Sequence, residues 1–142
     1  MIVKPLGFEH VSECKEIEKL SFMGHRSDDF EKCLSDKNYL QFVAVDKNKV
    51  LGYVVVLFVA DVAEIISIAV LPESRRLGVG RMLMEFSLKK SKDAGADSVM
   101  LEVNENNIGA RRLYENQGFV TISIRKKYYN NSDDALIMKR EL

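Results

Sequence analysis

Apolar residues recur along the chain with two spacings, and each spacing predicts a different kind of element. Val79, Met82, Leu83 and Phe86 follow the i, i+3, i+4, i+7 pattern of one helix face. Short runs rich in Val, Ile and other apolar residues, bounded by turn residues, predict strands instead. The helices are predicted at 10–20, from a Ser27 cap through Leu34, at 79–92 and at 108–117, and the strands at 2–4, 40–45, 50–59, 63–70, 98–103, 119–126 and 135–139.

Hairpins and crossovers alternate in this order of elements. The polar turn Asp46-Lys47-Asn48-Lys49 joins two strands as a hairpin, whereas the helix at 79–92 separates two strands as a crossover. Hairpin strands pair antiparallel, and crossover strands pair parallel. The chain is therefore expected to form an α/β (α+β) fold, in which helices cover a mixed sheet in a single domain spanning residues 1–142.

Composition narrows the function classes. The 142 residues carry 21 Lys plus Arg and 21 Asp plus Glu, so the formal net charge is zero. Broad binding to nucleic acid or to anionic membrane needs a basic excess, so neither is an expected partner. The longest apolar run, 50–60, is about half as long as a bilayer-crossing helix, and the N-terminus has no signal-peptide pattern, so a cytoplasmic protein is expected. Cys14 and Cys33 are expected as free thiols, with no metal site.

The segment 75–81 carries the sharpest local signal. Gly78 and Gly80 open the helix predicted from Val79, and the N–H groups at a helix start lack partners within the helix. Those groups and the helix dipole favour an anion, glycine lets a phosphate approach the backbone closely, and three arginines add positive charge. The segment therefore predicts a diphosphate site; the alternative is a turn that only caps the helix, with its arginines in solvent. Its spacing differs from the Rossmann and Walker patterns.

Several segments resemble a known family. Arg75-Arg76-Leu77-Gly78-Val79-Gly80 fits the R/Q-x-x-G-x-G/A signature of the GCN5-related N-acetyltransferase (GNAT) family. The other matching segments are Ser67-Ile68-Ala69-Val70-Leu71-Pro72, Leu101-Glu102-Val103, Asn107, Ala110, Leu113-Tyr114, Gly118-Phe119, Arg125 to Tyr129 and Asp133 to Met138. The likeness is close from Val50 onward and general before it. It resembles most the branch that holds the RimI-like ribosomal-protein alanine acetyltransferases and the archaeal protein N-terminal acetyltransferases.

The resemblance implies a fold and a cofactor. The implied GNAT fold is a mixed, mostly antiparallel twisted sheet of about seven strands, flanked by about four helices. The implied cofactor is acetyl-CoA, with CoA as product and no metal. The residues that the resemblance places at the cofactor are Ile68, Ala69 and Val70 beside the pantetheine arm, Arg75, Arg76, Leu77, Gly78, Val79, Gly80 and Arg81 at the pyrophosphate, Asn107, and Tyr114 near the sulfur.

The resemblance also implies the reaction and its residues. An amine would attack the acetyl group directly in a ternary complex, with Glu102 as the base and Tyr114 as the acid. Phe22, Glu64 and Tyr128 are the implied substrate-binding residues, and Glu64 is a second candidate for the base. The implied acceptor is the N-terminal α-amine of a protein or peptide, a ribosomal protein being one candidate, and the enzyme is expected to be a monomer or weak homodimer.

Amine chemistry bears on the acceptor. An α-amine has a pKa of about 7.7–8.0 and a lysine about 10.4, so near neutral pH deprotonation costs well under about 1 kcal/mol for the first and about 4 kcal/mol for the second. A modest base acting through water therefore suffices for an α-amine. Two alternatives stay open at this point: an acetyltransferase for a small-molecule amine, polyamine or lysine on the same fold, and a non-catalytic cofactor-binding module.

Overall fold

The computed structural model describes residues 1–22, 28–129 and 133–142. These residues form seven strands and four α-helices, which confirms the predicted fold class. In chain order the elements are β1 (Ile2–Pro5), α1 (Val11–Phe22), α2 (Phe30–Leu34), β2 (Tyr39–Asp46), β3 (Lys49–Val59), β4 (Val62–Val70), α3 (Val79–Asp93), β5 (Ser98–Asn104), α4 (Ile108–Asn116), β6 (Val120–Arg125) and β7 (Ala135–Glu141). None of the helices that these residues form combines the length and the apolar character needed to cross a bilayer.

All seven strands join one sheet in the order β1-β2-β3-β4-β5-β7-β6. β4 and β5 pair parallel, and each of the other neighbouring pairs is antiparallel. A parallel pair needs a crossover connection, and α3 lies in the connection between β4 and β5. The expected mixed, mostly antiparallel sheet is therefore confirmed, and its parallel junction falls in the middle of the strand order.

Each face of the sheet carries its own apolar core. On one face, α3 and α4 pack in a cluster whose buried members include Leu83, Val99 and Tyr114. On the other face, α1 and α2 pack in a second cluster that includes Ile17 and Phe30. The helices thus sandwich the sheet, as the alternation of apolar faces along the strands requires.

α3 lies directly on β3 because Gly52 has no side chain. A Cβ at Gly52 would lie 2.8 Å from Ala69 O and 3.1 Å from Leu83 Cδ1, closer than side-chain atoms tolerate. The missing side chain therefore brings α3 close to β3. This contact fixes where the N-terminus of α3 points.

The stretch Ser21–Ser27 has no clear period and contains Gly24, which predicts a loop, and this prediction is wrong at its start because α1 continues through Phe22. Residues 23–27 lie outside the described ranges. The expectations for His25 and for a cap at Ser27 fall on those residues.

The helix cap before β2 and the hairpin turn after it both have the residues and backbone angles typical of such positions. The described cap of α2 is Asp29, whose Oδ1 accepts the Lys32 N–H at 3.0 Å. In the β2–β3 hairpin, Lys47 and Asn48 have φ of 49° and 65°, the left-handed pair that a tight hairpin turn needs. The predicted hairpin is therefore confirmed.

Candidate active site

β4 and β5 separate halfway along their length. Val62–Ile65 of β4 pairs with Ser98–Leu101 of β5, and the described parts of the two strands pair no further. The cause is a β-bulge, because the β3–β4 register shifts between Val55 and Val56 and leaves Ile66 as an extra residue on β4. The gap between the last five residues of β4 and the end of β5 is called the split below.

One edge of β4 is open toward the split. Leu71 N–H donates to Leu51 O on the β3 side at 2.8 Å, and successive residues of an antiparallel strand alternate in the direction of their backbone groups. The backbone groups of Ala69 therefore face β3, whereas those of Ile68 and Val70 face the split. Two of the three residues predicted beside the pantetheine arm thus offer a free strand edge.

The N-terminus of α3 lies next to this edge. A Cβ at Gly80 would lie 3.9 Å from Val70 Cγ2, so the first turn of the helix touches the end of β4. Gly78 is the N-cap residue with φ 82°, and no described side chain caps the helix there. The first hydrogen bond that closes the helix runs from Met82 N–H to Gly78 O at 3.0 Å, so the N–H groups of 79–81 have no carbonyl four residues back within the helix. The helix start is free to hold an anion.

The three arginines around this loop differ in what they contact. Arg75 Nε donates to Val70 O at 3.2 Å and so ties the loop to the end of β4. Arg81 Nε lies 2.8 Å from Glu85 Oε1, and this partner raises the pKa of Arg81 and lowers that of Glu85. Arg76 is exposed, with φ 64°, and forms no ion pair with the described residues. Arg76 is therefore the arginine whose charge is least compensated by the chain itself.

Tyr114 lies on α4, beside the same helix start. A Cβ at Gly80 would lie 3.4 Å from Leu113 Cδ2, so α4 abuts the first turn of α3. Tyr114 is buried against Phe119, with 6.1 Å between ring centroids. Burial, reinforced by the nearby Tyr129, raises the pKa of Tyr114 to about 12. The phenol therefore keeps its proton throughout the neutral pH range.

Glu102 lies on the part of β5 that borders the split. Its neighbours Leu101 and Val103 are buried in the core beneath α3, so Glu102 points to the opposite face of the sheet. Arg125 Nη1 approaches Glu102 Oε1 to 3.9 Å. Burial first, then the Glu102 carboxylate and Tyr128, raise the pKa of Tyr129. Tyr114 is buried in the core on the α3 face of the sheet, so the two predicted catalytic residues belong to opposite faces.

Tyr129 was not among the residues chosen from the sequence, which gave Tyr128. The structure leaves Tyr128 about half exposed, with the Arg125 guanidinium carbon 5.4 Å from its ring centroid, and turns Tyr129 inward. Tyr129 N–H donates to Asp133 O at 3.2 Å, which anchors it across the turn. Two adjacent tyrosines in a turn give no spacing signal, so the sequence could not tell which one faces Glu102.

Four other predicted residues lie on different elements of the fold. Glu64 pairs in register with Met100 of β5, two residues before Glu102, so it is exposed on the same face as the candidate base. Phe22 ends α1 and packs against the core beneath α1 and α2. Leu77 is exposed on the loop, and Val79 is buried as the first residue of α3.

Asn107 has a structural contact of its own. Its Oδ1 accepts the Ala110 N–H at 3.3 Å and caps α4, so this side chain positions the helix that carries Tyr114. Any contact with a cofactor would add to this cap.

The described residues contain no group of three or more His, Cys, Asp or Glu side chains that could hold a metal ion.

Comparison with known proteins places this geometry in context. Residues 8–119 match the model of the Acetyltransferase (GNAT) family. The [ribosomal protein bS18]-alanine N-acetyltransferase of Escherichia coli strain K12 is 35% identical over 105 residues, which are 72% of this chain and 71% of that protein. An N-alpha-acetyltransferase of Saccharolobus solfataricus is 33% identical over 126 residues, covering 80% of this chain and 75% of the relative. The crystal structure of the ribosomal-protein-S18-alanine N-acetyltransferase from Escherichia coli superposes with a TM-score of 0.89 and 28% identity, covering 99% of this chain and 92% of that one.

Proposed function

Because this chain belongs to the GNAT family of acetyltransferases, we propose that it transfers the acetyl group of acetyl-CoA to the N-terminal α-amine of a protein or peptide. The observation that carries the proposal is the split in the sheet, which is bordered by the uncapped start of α3 and by the end of β5 that holds Glu102. A ribosomal protein is one candidate acceptor. The cytoplasm, where such N-termini emerge, is the compartment that this function requires.

The residues present fit acetyl-CoA. Its diphosphate needs several N–H donors and a positive potential, which the first turn of α3 and Arg76 supply. Its pantetheine arm carries amides along a flexible chain, and the backbone groups of Ile68 and the N–H of Val70 offer them strand-like hydrogen bonds, while the Val70 carbonyl accepts Arg75 Nε. When bound, this cofactor supplies the acetyl group as a thioester.

The acceptor amine must lose a proton before it can attack. Glu102 is the proposed base, acting directly or through a water molecule, because its carboxylate faces the split on the side opposite α3. Glu64 lies on the same face and is the alternative base.

The leaving sulfur must be stabilised as the C–S bond breaks. Tyr114 is the proposed acid, because its buried phenol is protonated at neutral pH and its O–H can donate a hydrogen bond to the developing thiolate. Its position on α4, against the first turn of α3, supports this role.

The class of acceptor is supported by the relatives and by amine chemistry. The Escherichia coli relative is named for an alanine of ribosomal protein bS18, and the archaeal relative is named an N-alpha-acetyltransferase. An α-amine needs only a modest base near neutral pH, whereas deprotonating a lysine costs about 4 kcal/mol. A single carboxylate is sufficient for the first and weak for the second.

A peptide panel tests the proposal. Peptides with varied first residues are assayed by thiol release beside free lysine, polyamines, and a lysine-containing peptide whose N-terminus is blocked. We expect turnover only with free peptide N-termini. Turnover of the blocked peptide or of the polyamines, without turnover of the free peptides, would move the enzyme to the small-molecule or lysine class.

The choice between the two carboxylates has its own test. Glu102→Gln and Glu64→Gln are compared over pH 6 to 9 with the best peptide. We expect Glu102→Gln to lower kcat across this pH range, because the amine loses its proton acceptor, while Glu64→Gln keeps the wild-type kcat. The reverse pattern assigns the base to Glu64.

A further inference from the structure

We infer that the acceptor site prefers N-termini with acidic side chains directly behind the first residue, and that a basic rim makes this selection. The basic rim consists of Arg125, Lys126 and Lys127, at the turn that follows β6. The inference rests on the proposed transfer to a peptide α-amine and specifies which peptides the site takes.

The rim begins at the candidate base itself. Arg125 Nη1 lies 3.9 Å from Glu102 Oε1, and its side chain is 58% exposed. The guanidinium also lies over the Tyr128 ring, 5.4 Å from its centroid, a contact that holds an arginine head in place. Arg125 therefore stands at the boundary between the carboxylate and solvent.

The two lysines continue the rim outward. The Lys126 side chain is 78% exposed, with Nζ 3.5 Å from Asp134 Oδ2. Lys127 is exposed and forms no ion pair with the described residues, and its backbone N–H donates to Asp134 Oδ1 at 2.8 Å. Since Arg125, directly before the two lysines, reaches Glu102, this turn forms part of the mouth of the site.

The charges around the mouth are layered. The carboxylates are less exposed than the cations: the side chains of Glu102 and Asp134 are 29% and 18% exposed, against 58% and 78% for Arg125 and Lys126. Asp133 Oδ2 also accepts a hydrogen bond from Asn104 Nδ2 at 3.0 Å. The cations of the basic rim lie outside. An anionic interior suits a cationic α-amine, and a cationic exterior suits acidic side chains further along the same peptide.

The dimensions of a peptide match this layering. An extended chain advances about 3.3 Å per residue, so with the amine at Glu102 the second and third residues lie about 3–7 Å farther out. That reach places their side chains at the basic rim. A glutamate at position two or three of the peptide is attracted by the basic rim, whereas a lysine there is repelled by it.

Three peptides test the inference directly. They share their first residue and their tail, and carry Glu-Glu, Gln-Gln or Lys-Lys at positions two and three. We expect kcat/KM for the Glu-Glu peptide to exceed that for the Lys-Lys peptide about tenfold at low salt, mainly through KM, with the difference shrinking at about 0.5 M salt because exposed charges are screened.

A matched pair of variants separates the basic rim from the net charge of the protein. Lys127 and Lys47 are both exposed lysines in hairpin turns, with φ of 50° and 49°. The Lys47 turn, between β2 and β3, lies four strand positions from the β6–β7 turn, about 19 Å at about 4.8 Å per strand and beyond the screening length of about 8 Å. At about 0.15 M salt, where that screening length applies, we expect Lys127→Glu to lower the Glu-Glu to Lys-Lys ratio about threefold, and Lys47→Glu to leave it unchanged.

The outcomes distinguish this inference from the proposed function. Equal turnover of the three peptides, or an equal shift in both variants, overturns selection by the basic rim while leaving α-amine transfer intact. Absence of turnover with every peptide overturns the proposed function itself. Lys126→Gln is the second variant should Lys127→Glu fail to fold, and it is expected to lower the ratio by a smaller factor, since it removes one charge and reverses none.

Discussion

Gly78→Ala is the sharpest test of the cofactor site, because the chain supplies its own control. Gly78 has φ 82° and caps α3, and Gly95, just after α3, has φ 103°. A Cβ built on either glycine has no described atom within 4 Å. Both substitutions therefore place an L-residue at a positive φ without a clash, but only Gly78 lies at the proposed diphosphate site.

The stability cost is expected to be equal for the two variants. A left-handed L-residue costs about 1–2 kcal/mol, and replacing glycine returns about 0.4–1 kcal/mol by restricting the unfolded chain. The net loss is about 1 kcal/mol, or about 4 °C in Tm for a chain of this size. Thermal melts of Gly78→Ala and Gly95→Ala measure this shared term.

The affinity for CoA is expected to differ. The methyl group at position 78 projects into the space before the helix start and costs at least one charge-assisted hydrogen bond, about 2 kcal/mol. That corresponds to about a thirtyfold rise in Kd, measured by calorimetry, whereas Gly95→Ala keeps the wild-type value. Wild-type affinity in Gly78→Ala, or an equal loss in Gly95→Ala, would refute the diphosphate assignment.

Three further outcomes are expected. Tyr114→Phe lowers kcat about a hundredfold while CoA affinity stays within about twofold. In the wild type the folded state holds the Tyr114 proton more tightly than the unfolded chain, so stability falls by about 3 kcal/mol between pH 10 and 12. Urea unfolding against pH should show that Tyr114→Phe removes this loss. Cys33 reacts with a thiol reagent at pH 8 while Cys14, fully buried with a pKa raised to about 12, reacts only on unfolding, as followed by mass spectrometry. Gly52→Ala lowers Tm by about 10 °C in a thermal melt, because its methyl group meets Ala69 O at 2.8 Å.

Much of the fold could be predicted because the spacing of apolar residues along the chain indicates each helix and strand locally. The i, i+3, i+4, i+7 pattern from Val79 predicts α3 within a residue of its observed end at Asp93. The end of α1 was harder, because Ser21 and Phe22 carry no stop signal and helix ends depend on contacts made elsewhere. Phe22 stays helical while packing on the core beneath α1 and α2.

The site divides in the same way into local and non-local parts. Gly78 and the arginines beside it could be recognised from the sequence, because a helix-start anion site is built from consecutive residues. The bulge at Ile66 could not, because it exists only relative to the register of β3. Nor could the inward turn of Tyr129, which depends on how β6 and β7 close on Glu102.

The short pairing between β4 and β5 has a mechanical consequence. Because β4 pairs with β5 only through Val62–Ile65 among the described residues, few hydrogen bonds join the β1–β4 half of the sheet to the β5–β7–β6 half. A ligand that bridges Ile68 or Val70 to β5 would add contacts between the two halves of the sheet and slow amide hydrogen exchange in both halves. Binding of the cofactor would then be detected as slower amide hydrogen exchange in strands far from the cofactor itself.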